Sequence, residues 1–337
     1  MHPNTTILNK KQYFNNAYSA MLIVISGIIG LYLLFQDPRL SSFFDSNSVD
    51  WYVEYSKTIF HPSYDARVLY WGESILLPLI GNLLNASQSL AAYKVLCASL
   101  IVSILPTLTA LTLYQTQSIK QSTLFLIIFS ITYVYLREMG LGYPDPLTLL
   151  LMFTATFQRS RILMALCIAL AALSHFSMAT VSTAALITLF ITNSDNSLSE
   201  RIKKVLFALL GLAFGRLLLQ FWYWKYDYLH VTGRINWFFD RGPQFFLDRY
   251  NNDVLGFWLI PSIPFLIIYA VIFIYFSYQK KYLFSLATLV PIALAYGVLF
   301  CTLDGLREFA VVIGPAYAYL LLTFITSLNK NIFTKLK

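Results

Sequence analysis

Charged residues are scarce in this sequence: Asp, Glu, Lys and Arg make up 12% of its 337 positions, against 58% hydrophobic residues. A soluble domain carries roughly a quarter of its residues as charges, and a smaller complement cannot coat a water-facing surface of this size. Cysteine is scarce too. Cys97, Cys167 and Cys301 all fall inside apolar runs, and none has a partner at metal-ligand spacing. They read as small buried hydrophobes, with no disulfide framework and no metal centre expected. Internal repeats, low-complexity tracts and a separable soluble domain are missing as well. So is the alternating apolar–polar pattern of outer-membrane barrel strands. What remains is a helical membrane protein.

The net charge of +8 does not point to nucleic acid, because the bases are scattered singly or in pairs between apolar blocks. That is the pattern of topology signals. The apolar runs predict about ten transmembrane helices in a single domain over 1–337, near 17–35, 92–114, 122–136, 146–157, 161–174, 176–192, 204–222, 255–278, 283–301 and 309–327. The run from Ala17 to Phe35, preceded by Lys10 and Lys11, is too long for a signal-peptide core and is read as an uncleaved first span.

Charge sets the orientation. With both termini in the cytoplasm, the cytoplasmic segments hold Lys10, Lys11, Lys120, Arg159, Arg161, Arg201, Lys203, Lys204, Lys280, Lys281, Lys330, Lys335 and Lys337. They hold two acids, Asp195 and Glu200, and the other fourteen fall outside. One missed helix would invert every later loop, so this split supports the span count. Residues 68–84 are apolar enough to cross. Glu73 lies among them, however, and a span here would place Lys120 outside. Residues 36–91 are therefore expected to form one long extracytoplasmic loop with two surface helices, near 47–60 and 68–84. Residues 223–254 form the second long extracytoplasmic loop. Spans 146–157 and 161–174 are short for a bilayer that needs about 20 residues per helix, and Arg159 and Arg161 lie between them. They are read as two short helices meeting at a thinned cytoplasmic edge, with a re-entrant hairpin as the rival.

Carboxylates, arginines and one histidine gather on the outward side. The first loop carries Asp50, Asp65 and Arg67, and Arg137 and Asp145 flank the next outward turn. His175 ends the fifth span, Arg216 falls inside an apolar run, Arg234 lies in 223–254, and Arg307 lies in the outward segment Asp304-Gly305-Leu306-Arg307-Glu308 before the last span. Several have a structural alternative. Asp50 and Glu54 suit a solvated helix face, and Asp65 suits a helix cap. Asp145 suits a helix dipole, His175 a turn, and Arg216 snorkelling toward headgroups. A sugar carried on a lipid phosphate would use the same inventory. Arginine grips phosphate with a fixed fork, and a carboxylate takes the proton of an acceptor hydroxyl.

Several segments resemble a known group. Asp50-Trp51-Tyr52-Val53-Glu54-Tyr55 is similar to an acid-then-tyrosine start of a first surface helix. Tyr64-Asp65-Ala66-Arg67-Val68-Leu69 with Pro78, Gly142-Tyr143-Pro144-Asp145-Pro146-Leu147, Ser174-His175-Phe176 and Asp304-x-x-Arg307 look like further elements of it. The group is the GT-C glycosyltransferases, through uncharacterised bacterial relatives. The likeness covers most of the chain as an order of elements. Asp50 is followed by Trp51 where the group's acidic pair would be adjacent.

The resemblance implies transfer of a sugar from a polyprenyl-phosphate-type donor at the outer face of a bacterial inner membrane. It implies Asp50 and Asp65 as catalytic acids, in that order. Arg67, Arg137, Asp145, His175, Arg216, Arg234 and Arg307 would hold substrate or phosphate. The partners expected are the lipid-linked donor and membrane lipids, with no cofactor and no metal. A transporter or flippase, or a glycan polymerase acting on a lipid-linked or anionic substrate, is the alternative.

Overall fold

The computed structural model describes residues 3–35, 47–61, 73–132, 143–228, 243–244, 247–248, 262–301 and 305–335. Among these, every regular element is a helix. In chain order the α-helices are α1 (Pro3–Phe35), α2 (Asn47–Lys57), α3 (Leu76–Leu83), α4 (Leu90–Thr116), α5 (Ile119–Thr132), α6 (Asp145–Phe157), α7 (Arg161–Ser174), α8 (Phe176–Thr192), α9 (Leu198–Lys225), α10 (Ile263–Tyr278), α11 (Tyr282–Ala287), α12 (Leu289–Cys301) and α13 (Gly305–Lys335), with a short 3-10 helix, Ala86–Gln88, between α3 and α4. Five helical segments are long and apolar enough to cross a membrane, and five further apolar helices are shorter. The protein is an all-α integral membrane protein.

Serines start the helices where the chain turns. Ser89 accepts from the Ala92 amide at 3.0 Å, Ser160 from Leu163 at 3.4 Å and Ser197 from Glu200 at 3.3 Å. Each satisfies one of the orphan amides of a first helical turn. A helix is expected near 47–60, and α2 is found there. Of the one near 68–84, α3 covers 76–83, and 62–72 lie outside the described residues. The expected span 283–301 is interrupted at Thr288. Pro291 removes an amide there, and the Tyr269 hydroxyl donates to the Thr288 carbonyl at 2.7 Å.

Helix directions follow from paired contacts. An added Cβ on Gly30 of α1 would meet the Val102 carbonyl of α4 at 2.8 Å, while Gly27 faces Pro106 at 3.6 Å, so α1 and α4 run antiparallel. Gln115, near the end of α4, donates to the Phe157 carbonyl at the end of α6, and Arg159 donates to the Tyr114 carbonyl at 3.2 Å. The α6–α7 turn therefore reaches the level where the 27-residue α4 ends, and the short pair runs the depth of the bundle. Helix α7 packs parallel to α9. Cβ atoms at Gly211 and Gly215 would lie 2.5 Å and 2.8 Å from the Ala165 and Ala169 carbonyl oxygens. This Gly-x-x-x-Gly pair faces Ala165, Ala169 and Ala172, the small-on-small contact that lets helices approach without a hydrophobic driving force.

Helix α13 runs through the middle, with 78% of its apolar stretch buried. Its Tyr317 bonds Thr132 of α5 at 2.5 Å, and Tyr319 accepts from Asn193 at 2.6 Å. The bundle thus has two unlike ends. At one, Arg161 grips Glu200 at 2.7 Å and 2.8 Å, and Lys281 pairs with Asp195. The other end holds the first turns of α4, α6, α8 and α13 and the last turns of α7 and α9. Helices α2 and α3 cap it, with Val49, Tyr52, Val53 and Leu77 buried against Tyr93, Cys97 and Leu147.

Candidate functional site

At the capped end, chain segments far apart in sequence bring charge into the protein interior. Asp145 is the first residue of α6 and is fully buried. Its carboxylate suits the positive end of the helix dipole. Pro146 follows it among the first-turn positions whose amides have no partner within the helix. The start of α6 is pinned to the end of α7: Ser174 donates to the Pro144 carbonyl at 3.1 Å, and the Thr148 hydroxyl bonds Ser174 at 2.9 Å.

Arg307 pairs with Asp145 through one guanidinium nitrogen. It lies on the first turn of α13, where the helix dipole disfavours a cation. The carboxylate and the Tyr143 ring, 3.7 Å from the guanidinium carbon, compensate. Tyr143 in turn meets Tyr52 of α2 edge-on, with centroids 5.7 Å apart. The cap helix therefore touches the ring on which the arginine rests.

His175 closes α7 and opens α8. Its Nδ1 accepts from the Met178 amide at 3.5 Å and lies 3.2 Å from the Ser177 hydroxyl. An Nδ1 committed as acceptor leaves the ring proton on Nε2. That nitrogen lies 3.9 Å from Asp145 Oδ1, too long for a direct hydrogen bond but within ion-pair range if the ring is protonated. Arg216 is half-buried, with its guanidinium 4.8 Å above the Phe176 ring, one residue from His175.

The structure thus brings together Asp145, His175 and Arg307, with Arg216 alongside. Asp50 lies outside this cluster. It is exposed on α2, whose buried face carries Val49, Tyr52 and Val53. Asp65, Arg67, Arg137 and Arg234 lie outside the described residues.

Two further buried charges lie at this end: Glu73, which the sequence marks as an acid of the first outward loop without a site role, and Lys94, which it does not mark. Glu73 is 6% exposed and Lys94 1% exposed. Glu73 is held near the cluster because the Ile75 amide donates to the Leu173 carbonyl at 3.0 Å, just before Ser174 and His175. The signal that could have found them is an acid inside an apolar stretch and a lysine inside an apolar helix. Nearby, Tyr55 is buried against Tyr228, with rings 6.3 Å apart. Burial pushes its hydroxyl well above the ordinary tyrosine range, so it stays protonated.

Chemically, the cluster offers a carboxylate, two guanidiniums and an imidazole at one end of an apolar bundle. Comparison with known proteins adds no relative: no family model, curated protein or solved structure matches the chain.

Proposed function

We propose that this protein is a membrane-embedded glycosyltransferase that moves a sugar from a lipid-phosphate carrier to an acceptor at the outer face of a bacterial inner membrane. The observation that supports it is the buried Asp145–His175–Arg307 cluster, with Arg216 beside it, at the end capped by α2 and α3. Charges are expensive inside a membrane bundle and mark functional positions. On this reading the five long spans and five shorter apolar helices make ten crossings, with both termini cytoplasmic.

The donor phosphate lies toward Arg216 and Arg307, with Arg67, Arg137 and Arg234 as further contacts. The acceptor oxygen attacks the anomeric carbon, and the bond from that carbon to the phosphate oxygen breaks with its electron pair leaving on the phosphate. A carboxylate of the first loop takes the acceptor proton. Asp50 is favoured over Asp65. Its helix is docked on the cluster through the Tyr52–Tyr143 contact, while its own side chain faces outward, where an acceptor can reach it.

The direct test is donor binding and transfer on purified protein. Asp50→Asn retains donor binding and loses nearly all transfer, because an amide cannot accept the proton. Arg307→Lys keeps the charge without the bidentate fork and weakens donor binding. Near-normal transfer by Asp50→Asn moves the base to Asp65. No transfer from any lipid-phosphate sugar by the wild-type chain defeats the reading.

Topology is tested separately. Single cysteines are placed at Ser48 and Leu198 in a chain otherwise without cysteine. An impermeant thiol reagent applied to intact cells labels position 48 and spares position 198. The opposite pattern inverts the proposed orientation.

A further inference from the structure

At the end of the bundle away from the cap, positive charge outweighs negative where α7 and α9 begin side by side. Arg161 is the first residue of α7, and Glu200, Lys203 and Lys204 lie in the first two turns of α9. Arg161 makes both of its bonds to Glu200 with one guanidinium nitrogen, Nη2. Lys203 and Lys204 are also close enough to act on the Glu200 charge. One carboxylate thus answers three cations. Lys204 is half-buried, 5.4 Å from the centre of the Phe190 ring, whereas Lys203 is exposed. Among the described residues Arg161 makes no further hydrogen bond and Lys203 makes none. Arg161 also opens its helix against the sense of the helix dipole, so local helix stability does not account for a cation there.

Apolar surface continues directly from this charge. Leu206, Leu210 and Phe214 follow Lys203 at spacings of three and four residues, so they form one stripe with it along α9, and all are exposed. Ile162, Leu166 and Leu170 form an exposed stripe on α7. The two helices run parallel and meet at Gly211 and Gly215. At about 100° of turn per residue, both stripes fall on the same side of that seam, away from the buried Met164 and Ile168. Both therefore descend from the charged end along one lipid-facing surface.

We propose that this seam binds an anionic glycerophospholipid of the adjoining leaflet, with its phosphate between Arg161 and Lys203 and its acyl chains along the two stripes. Helical side chains lean toward the N-terminus, which carries the Lys203 ammonium toward headgroup level. The guanidinium and the ammonium supply charge-assisted donors to phosphate. The stripes select a phosphate that carries hydrocarbon chains. The site goes beyond the transfer reading and does not rest on it, since that chemistry lies at the capped end.

The test measures binding of phosphatidylglycerol and phosphatidylcholine with identical acyl chains to the purified protein in a neutral detergent, by native mass spectrometry. Phosphatidylglycerol binds the wild type about five-fold tighter or more, the factor that one base contributes near an anionic lipid surface. Lys203→Gln removes most of that preference, leaves phosphatidylcholine binding unchanged and melts with the wild type when no lipid is added. Arg161→Gln with Glu200→Gln, which removes the ion pair as a unit, lowers the preference as well. Lys120→Gln alters an exposed base on α5 at the same end and leaves the preference intact.

Equal binding of the two lipids by the wild type overturns the proposal. An equal loss on Lys120→Gln and Lys203→Gln also overturns it, because that marks a general attraction of the charged end and no site. Displacement of phosphatidylglycerol by glycerol phosphate at matched concentration overturns the lipid assignment, since the stripes then contribute nothing.

Discussion

Arg307→Leu is expected to destabilise the protein by about 3–5 kcal/mol, the usual consequence of removing one partner from a buried ion pair. The variant leaves the Asp145 carboxylate, which has no exposed surface, without the guanidinium that neutralises it. It also removes the cation resting on Tyr143, the ring that joins the cluster to the cap helix. Asp145→Leu has a comparable effect for the reverse reason, since it strands a buried guanidinium near the start of α13. The double variant, Asp145→Leu with Arg307→Leu, recovers much of the loss, because two apolar side chains of similar volume replace a desolvated pair. If the proposed donor-binding role of Arg307 holds, donor binding does not recover, since the double variant has neither charge. The measurement is thermal unfolding of the four proteins in one detergent, alongside donor binding. If the double variant is as unstable as the sum of the singles, the two residues are not energetically coupled and the cluster is not a unit.

Much of the helical framework is legible in the amino-acid sequence alone. Apolar run length separates α4 from α6, and the prolines around Asp145 place the start of α6 within one residue of the expectation. The first apolar span, expected near 17–35, lies at Asn16–Phe35, and helix α1 continues N-terminally from it to Pro3. Its polar first half gives no membrane signal, but residues 4–26 contain neither glycine nor proline, so nothing ends the helix.

The site is legible only as an inventory. Asp145 and Arg307 are 162 residues apart, and hydrophobic periodicity says which residues are helical without saying which helices are neighbours. Asp50 illustrates the same limit at short range. Its helix is where the pattern puts it, yet the face that packs inward is set by Val49, Tyr52 and Val53 meeting α3 and α4. Glu73 and Lys94 escape the site inventory because a single charge in an apolar stretch ordinarily marks a boundary, and their burial depends on cap helices whose packing no local pattern encodes. Gly211 and Gly215 are readable as a close-packing motif, but their partner helix is not.

That glycine pair carries the second large effect. Helices α7 and α9 meet with backbone against backbone: a Cβ on Gly215 would sit 2.7 Å from the Ala172 Cβ and 2.8 Å from the Ala169 carbonyl oxygen. Neither neighbour can rotate away, since one is a backbone atom and the other is fixed to the backbone. Gly215→Ala therefore forces the helices apart by a few tenths of an ångström, against overpacking penalties of about 1–3 kcal/mol. Gly215→Leu adds a branched side chain to the same contact and has the larger effect.

The consequence reaches the cluster, because α7 ends at Ser174 and His175, and Arg216 is the residue after Gly215. Separating the helices shifts the Ser174 hydroxyl that pins the start of α6 and the imidazole that faces Asp145. Gly297 is the internal control. It is exposed on α12, and an added Cβ there meets nothing within 4 Å, so Gly297→Ala is neutral or slightly stabilising through helix propensity. Melting temperatures measured in one detergent fall in the order Gly297→Ala, Gly215→Ala, Gly215→Leu, and donor binding falls with them. A Gly215→Leu protein that melts with the wild type excludes the close approach of α7 and α9, and with it the route by which the α7–α9 contact positions His175.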